Sequence, residues 1–209
     1  MNLSEIQMDI LKEIGNIGAG RAAEALSKFL HQEVSMSLPY LEKLNDFDQI
    51  INKVVADFGI QEAEFAMIYT TILDSSDYLL FCLIPTESCQ ELISLSFEDD
   101  ITQTEDGKAL VESMIREVGN ILLITYIDAL NKFLSLNLMA ESGQIVFGTM
   151  KQIMALYNDK LNTSENYSPS MESHLLVDLS IFAISQKISA YLGLIPTETT
   201  VTKISESLL

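Results

Sequence analysis

Internal duplication is the feature that most constrains how this chain can fold. Residues 9–38 align with residues 113–142 at an offset of 104, which places KEIGNI on REVGNI and ALSKFL on ALNKFL. Further along, LIPTES at 83–88 matches LIPTET at 194–199 at an offset of 111. Two matches in the same order at nearly the same offset indicate a tandem duplication. The 209 residues are therefore predicted to form a single domain made of two repeats, at about 1–100 and 101–209.

Each repeat is predicted to begin with a long amphipathic helix, at 4–31 and at 105–134. Ser4 is the expected cap of the first helix, and Thr104 or Asp106 that of the second. Apolar residues recur at helical spacing along the first helix and predict its buried face. They are Leu3, Ile6, Ile10, Ile14 and Ile17.

The remainder of each repeat is predicted to add a helix and a hairpin of two strands. The helical signals lie at 44–58 and 149–161. The strand signals lie at 64–73 and 78–84 around a turn at 74–77, and again at 174–184 and 188–195. Pro85 and Pro196 are expected to end the second strand of each pair, with Thr86 and Thr197 capping a short closing helix.

These elements predict an α+β fold in which a mainly antiparallel sheet is flanked by the two long helices. The two halves are expected to share one sheet and to be related by a pseudo-twofold axis. Because a duplicated domain supplies internally the pairing that a half-sized protein would obtain by dimerising, we expect a monomer.

Composition excludes several classes of function. Thirty acidic residues against twelve basic ones give a formal net charge of -18, which disfavours binding to nucleic acid or to an anionic membrane surface. The apolar run at 78–84 is too short to span a bilayer, and no secretory signal is visible at 1–7, so a cytoplasmic protein is expected. Two cysteines and two histidines leave little material for a disulfide framework, a metal site or a histidine-based triad.

A polar stripe is predicted on each long helix. Asp9, Glu13 and Asn16 have spacings of four and three residues, which place them within about 60° of one another. Ser113, Glu117 and Asn120 repeat the arrangement on the second helix. A helix surface needs charge, which explains an acidic residue there. A mid-helix Asn is a poor helix former, so its recurrence after Glu-x-Gly favours a functional role.

Small residues follow the first Asn, in the run GNIGAG at 15–20. The glycine order and the lack of a preceding strand exclude a dinucleotide-binding loop. The run has two other readings: it permits close packing against another helix, or it keeps the surface low so that a partner can reach Asn16.

The duplicated motif resembles that of the CheC/CheX/FliY family of chemotaxis phosphatases. The family pattern is Asp/Ser-x3-Glu-x2-Asn-x22-Pro, and Asp9, Glu13, Asn16 and Pro39 fit it fully. In the second copy, Ser113, Glu117 and Asn120 fit it, but Gly143 stands where the proline belongs.

The resemblance implies an enzyme that removes the phosphoryl group from a phosphorylated CheY-type response regulator. By this resemblance Glu13 and Glu117 pair with a regulator lysine, and Asn16 and Asn120 orient the attacking water. It also implies no cofactor of the chain's own, with Mg²⁺ held in the regulator's active site.

The second copy is expected to be the weaker one. Leu122-Leu123-Ile124 replaces Gly18-Ala19-Gly20, and Ile124 falls on the stripe of Glu117 and Asn120, where it would obstruct a partner. The missing proline is also expected to reshape the turn that supports this site.

Two alternatives stay open at this stage. The chain could be a non-catalytic adaptor that binds a CheD-type receptor deamidase, a response regulator or both, as the resemblance also implies. In the other alternative, the stripes are ordinary helix surface and the duplication builds only a scaffold.

Overall fold

A seven-stranded antiparallel sheet and two long helices organise the part of the chain that the computed structural model describes. That part comprises residues 5–37, 40–44, 49, 52–53, 56, 64–72, 75–97, 104–135, 138–153, 155, 174–183, 186–196 and 206. In chain order, the elements are α1 (Glu5–Leu30), β1 (Val34–Met36), β2 (Tyr40–Leu44), β3 (Glu64–Ile72), β4 (Ser75–Pro85), α2 (Thr86–Ser96), α3 (Glu105–Leu134), β5 (Gln144–Thr149), β6 (His174–Ala183) and β7 (Gln186–Pro196).

The sheet interleaves the two halves of the chain. Its order is β1-β6-β7-β4-β3-β5, and β2 also pairs with β6. Strands β1 and β2 of the first half therefore lie beside β6 of the second, while β5 of the second half lies beside β3 of the first. Because each half completes the other's side of the sheet, the predicted shared sheet is confirmed.

The centre of the sheet is the antiparallel pair of β4 and β7, which end with the repeated sequence Leu-Ile-Pro at 83–85 and 194–196. Leu80 pairs with Leu194, and Leu83 pairs with Tyr191. Equivalent strands that meet antiparallel are what a twofold axis between them produces. The predicted pseudo-twofold α+β fold is therefore confirmed, whereas the boundary between the repeats falls at residues outside the described part and stays a prediction.

The segment after each long helix is held by a matched hydrogen bond. In the first half the Val34 N–H donates to Ser27 Oγ at 2.9 Å. At an offset of 104, the Leu138 N–H donates to Asn131 Oδ1 at 2.7 Å, and Asn131 Nδ2 donates to the Leu138 carbonyl at 2.8 Å. The side chain at this position of each helix thus fixes where the returning chain lies.

Both predicted long helices are confirmed, with ends within one residue of those expected. Each is followed by a residue in the left-handed conformation, His31 with φ 52° and Ser135 with φ 50°. The Thr104 hydroxyl caps α3 by accepting from the Gly107 N–H at 3.0 Å. Ser4, the predicted cap of α1, lies outside the described residues.

The buried face of α1 differs from the predicted one. Ile6 is 72% exposed, and Ile10 and Ile17 are only half-buried, so the prediction was wrong for these residues. Only Ile14 of the predicted residues is buried, and Leu3 lies outside the described part. The observed buried face consists of Gln7, Leu11, Ile14, Gly15, Gly18, Ala19, Ala22, Leu26 and Leu30. Small residues on this face let α3 approach closely. The close helix packing that results is favoured over burial of the larger apolar side chains on the neighbouring face.

The strands match the predictions in part. All four predicted strands are present, but β4 begins at Ser75, which pairs with Ile72 after a shift in register. Most of the predicted turn at 74–77 is therefore strand, because the ladder outweighs the local preference of polar residues for a turn. Strands β1, β2 and β5 were not predicted.

The remaining helix predictions have mixed outcomes. Leu44 ends β2 instead of starting a helix, although the described residues at 49, 52–53 and 56 are helical. Thr149 likewise ends β5, and residues 150–153 and 155 are helical. The closing helix α2 is confirmed, but Thr86 is its first residue and Pro85 stands at the cap position without a side-chain hydrogen bond. Thr197 lies outside the described residues.

Alternation along the strands buries both faces of the sheet. One face packs against α1, α2 and α3 in a continuous core, to which the sheet contributes Ala66, Ile68, Leu80, Cys82, Ile84, Ile188, Ala190 and Leu192. Their neighbours Phe65, Met67, Phe81, Leu83 and Tyr191 point to the other face and are buried too. Within the described residues, no helix combines the length and apolar character needed to cross a membrane.

Two helix glycines test how tightly this core is packed. A Cβ at Gly18 would lie 3.5 Å from Ala129 Cβ, an ordinary contact, whereas at Gly119 it would lie 2.5 Å from Ile68 Cγ1. Both substitutions to Ala gain similar helix propensity, about 0.5–1 kcal/mol. We expect Gly18→Ala to raise the unfolding free energy by about that amount and Gly119→Ala to lower it by about 1–3 kcal/mol through overpacking. Urea denaturation of the two variants checks this, and equal effects would contradict the packing described.

Candidate functional site

The predicted polar stripe of α1 lies on the surface. Asp9 and Glu13 are exposed and Asn16 is half-buried. At about 100° per residue, the stripe lies roughly 145° around the helix from the centre of the observed buried face. The correction to the buried face therefore turns the stripe further away from the core than the sequence indicated.

Two short-range contacts organise this first copy of the motif. Asn16 Nδ2 donates to Glu13 Oε2 at 3.3 Å. Lys12 Nζ donates to Asp9 Oδ1 at 3.1 Å in an exposed ion pair. The structure thus joins Glu13 to Asn16 and engages Asp9 with a lysine that sequence reasoning did not consider, although its spacing of three residues is the usual one for such a pair.

The amide oxygen of Asn16 is the chemically available group of the first copy. A carboxylate only accepts hydrogen bonds, so Glu13 fixes the nitrogen of the Asn16 amide toward itself and leaves Oδ1 on the other side. Among the described residues, none donates a hydrogen bond to Oδ1 of Asn16. An exposed amide oxygen beside a carboxylate can accept from a water molecule and orient it.

The second copy has the same exposure pattern on α3 but a different contact. Ser113 and Glu117 are exposed and Asn120 is half-buried. Asn120 Oδ1 accepts a hydrogen bond from the Gly143 N–H at 3.1 Å. The alignment of Gly143 with the proline position was visible in the sequence, whereas this contact was not, because it joins residues 23 positions apart.

The side chain four residues after the Asn also differs between the two copies. Gly20 is exposed, and a Cβ there would meet nothing within 4 Å. Its counterpart at an offset of 104 is Ile124, whose side chain is 49% exposed. The surface four residues after the Asn is therefore open on α1 and carries a bulky apolar side chain on α3.

Two glycines of the run have different surroundings, and access of a partner to Asn16 stays a prediction. Gly18 faces α3, with Tyr126 Cα at 3.6 Å from the position of a Cβ, so it serves helix packing. Gly20 faces open space, so no side chain projects from the helix surface beside Asn16 at this position. Pro39, the last element of the first copy, lies outside the described residues.

The cysteines are buried thiols. Burial raises the pKa of Cys89 to about 12 and also raises that of Cys82, so both stay protonated and poorly nucleophilic at neutral pH. Among the described residues, no group of three or more His, Cys, Asp or Glu side chains is arranged to hold a metal ion. The chemistry available at the stripes is therefore that of amides and carboxylates.

Comparisons with known proteins show similarity to the CheC-like family. Residues 6–41, which contain the whole first copy of the motif, match the model of the CheC-like family. The chain is 28% identical over 198 residues to the CheY-P phosphatase CheC of Bacillus subtilis strain 168, an alignment that covers 93% of this chain and 90% of that protein.

Solved structures support the fold. FliY from Thermotoga maritima superposes with a TM-score of 0.66 at 16% identity, covering 100% of this chain and 98% of that one. The middle domain of FliM from H. pylori gives a TM-score of 0.63 at 10% identity, covering 98% and 99% respectively. At such identities the likeness concerns the architecture alone.

If Asn16 has no structural role, its removal should leave the fold intact. We expect Asn16→Ala to change the unfolding free energy by less than about 0.5 kcal/mol, because a weak exposed contact is exchanged for better helix propensity. Asn131→Ala is the matched control, and its loss of two hydrogen bonds should cost about 1–3 kcal/mol. Thermal and urea denaturation measure both variants. Comparable destabilisation by the two would assign Asn16 to the scaffold.

Proposed function

We propose that this chain, which is similar to the CheC-like family over residues 6–41, hydrolyses the aspartyl phosphate of a phosphorylated CheY-type response regulator in chemotaxis signalling. The observation that carries the proposal is the exposed Glu13–Asn16 pair, which lies opposite the buried face of α1. Similarity over almost the whole chain to a CheY-P phosphatase supports the same reaction.

The reaction suits a site without a nucleophile of its own. A water oxygen forms a bond to phosphorus while the bond from phosphorus to the aspartyl oxygen breaks, which yields inorganic phosphate and the free carboxylate. An acyl phosphate is already reactive, so what the phosphatase must add is mainly the position of the water. Positioning and electrostatics dominate catalysis of phosphoryl transfer, and correct placement contributes several kcal/mol.

Asn16 is the proposed water-orienting residue. Its amide oxygen accepts a hydrogen bond from the water and leaves a lone pair of the water oxygen directed at phosphorus. A carboxylate at this position would repel the phosphoryl oxygens, whereas an amide carries no charge. The hydrogen bond to Glu13 keeps the amide nitrogen away from the water and the oxygen toward it.

Glu13 has a second proposed role, in docking. Its exposed carboxylate would pair with the lysine in the regulator's active site and so bring Asn16 to the phosphoryl group. The formal net charge of -18 favours encounter with a lysine-bearing face. Asp9 lies one turn earlier, where its pair with Lys12 supports the acidic stripe without contacting Asn16.

We propose the same roles for Glu117 and Asn120, with lower activity. Ile124 stands on the approach to this copy, whereas Gly20 leaves the approach to the first copy open. Divalent metal is proposed to belong to the regulator, where Mg²⁺ would neutralise the phosphoryl oxygens, and none is assigned to this chain. The monomeric state stays a prediction.

The alternative is a non-catalytic adaptor for a CheD-type deamidase or a response regulator. It differs from the phosphatase in one observable, since an adaptor binds its partner without accelerating loss of phosphate. No described residue identifies a CheD-binding surface, so the adaptor carries no site assignment.

The decay of phosphorylated CheY with Mg²⁺ tests the proposal. We expect the wild-type chain to accelerate decay, Asn16→Ala to lose roughly 10–100-fold of that acceleration by losing the oriented water, and Asn120→Ala to lose little. Binding to CheY carrying a stable phosphoryl mimic should persist in Asn16→Ala. Intact binding without any acceleration by the wild type would favour the adaptor.

The size of the side chain four residues after each Asn, at Gly20 and Ile124, gives a second, independent test. Gly20→Ile should suppress the activity of the first copy about tenfold or more by blocking the partner, although Ile has a higher helix propensity than Gly and a Cβ at this position meets nothing within 4 Å. Ile124→Ala in an Asn16→Ala background should raise the remaining rate. The same decay assay, with thermal unfolding to show that both variants fold, measures the effects. An unchanged rate in Gly20→Ile would place the docking surface elsewhere.

A further inference from the structure

The two copies of the motif use different atoms of their amides in hydrogen bonds. A main-chain N–H only donates, so the group of Asn120 that faces Gly143 is its oxygen, whereas the group of Asn16 that faces Glu13 is its nitrogen. Within the part of the chain that the structure describes, the oxygen required to orient a water accepts no hydrogen bond in the first copy and accepts one in the second.

The residue that engages Asn120 stands where the first copy carries a proline. Gly143 and Pro39 are equivalent at the offset of 104 that also relates Asn120 to Asn16. A proline has no N–H, so the main chain at 39 cannot donate the hydrogen bond that Gly143 donates.

The donor at Gly143 is held firmly in place. Thr70 Oγ1 donates to the carbonyl of Glu141 at 2.8 Å, and Tyr69 Oη donates to Gln144 Oε1 at 2.6 Å, so β3 anchors the segment on both sides of Gly143. Gly143 itself is buried, and a Cβ there would overlap Asn120 Oδ1 and lie 2.8 Å from Ile68 Cγ2. The absence of a side chain is what admits the amide.

We propose that the Gly143 N–H is a positioning group that retains the Asn120 amide against the 141–143 segment, and that Pro39, which has no N–H, cannot supply the equivalent restraint to Asn16. The inference rests on the proposed role of the amides in orienting water. It adds a second cause, besides Ile124, for unequal activity of the two copies. A hydrogen bond of ordinary net strength corresponds to a population ratio of about two- to twelvefold, which is the expected size of the effect.

Hydrogen exchange tests the restraint without reference to catalysis. The Gly143 amide should be protected in the wild type, remain protected in Asn120→Asp, which keeps an acceptor, and exchange about two- to twelvefold faster in Asn120→Ala. Leu138, whose amide is held by Asn131, should not change and serves as the internal control. A Gly143 amide that exchanges freely in the wild type, or equally in Asn120→Ala, would overturn the proposal.

The functional consequence is measured in a chain carrying Asn16→Ala and Ile124→Ala, in which only the second copy acts and its approach is clear. Adding Gly143→Pro should accelerate decay of phosphorylated CheY about two- to tenfold, and further addition of Asn120→Ala should abolish the gain. Gly143→Ala provides a second release of the amide, since its Cβ takes the place of Oδ1 while the N–H is kept.

The outcomes separate this inference from the function on which it rests. An unchanged or lower rate in folded Gly143→Pro and Gly143→Ala variants would overturn the restraint even if the wild type is an active phosphatase. A wild type that does not accelerate decay would contradict the proposed function, while the exchange data would still decide whether Gly143 restrains Asn120.

Discussion

The antiparallel pairing of β4 with β7 is the interaction on which the rest of the molecule depends. It joins the two halves through their equivalent strands, each of which ends in Leu-Ile-Pro, and every other strand is placed relative to this pair. Because outer strands of each half then lie on the other half, neither repeat forms its share of the sheet alone. The long helices cover the face that this pairing creates and are held against each other where Gly18 meets Tyr126 and Ala129.

That packing explains why the polar stripes are available to a partner. Once Leu11, Ile14 and Ala22 are committed to the core, Glu13 and Asn16 have no face left except the one toward solvent. A mid-helix Asn without a packing or capping role lowers the stability of the helix and gains no compensating structural contact. The surface position of Asn16, together with the similarity of residues 6–41 to the CheC-like family, makes its amide the natural centre of the proposed chemistry.

Duplication has given one frame two chemically different surfaces. The matched contacts after the helices, Ser27 with Val34 and Asn131 with Leu138, show how closely the backbone plan is repeated. The copies diverge instead at single positions beside the Asn. Gly20 in the first copy corresponds to the exposed Ile124 in the second, which adds a bulky side chain to the surface. Pro39 corresponds to Gly143, which has the main-chain N–H that proline lacks. Small substitutions on a conserved frame are thus sufficient to make two equivalent positions unequal.

The sequence by itself determined the duplication, the two long helices, the four strands of the hairpins and the motif residues, because these depend on spacing along the chain. Tertiary structure decided which face of α1 is buried, since close approach to α3 selects small residues over Ile6. It also placed Ser75 and Leu44 in strands, because they pair with Ile72 and His174 respectively. The orientation of the Asn120 amide belongs with these, because a hydrogen bond to Gly143 exists only once the fold brings the two residues together.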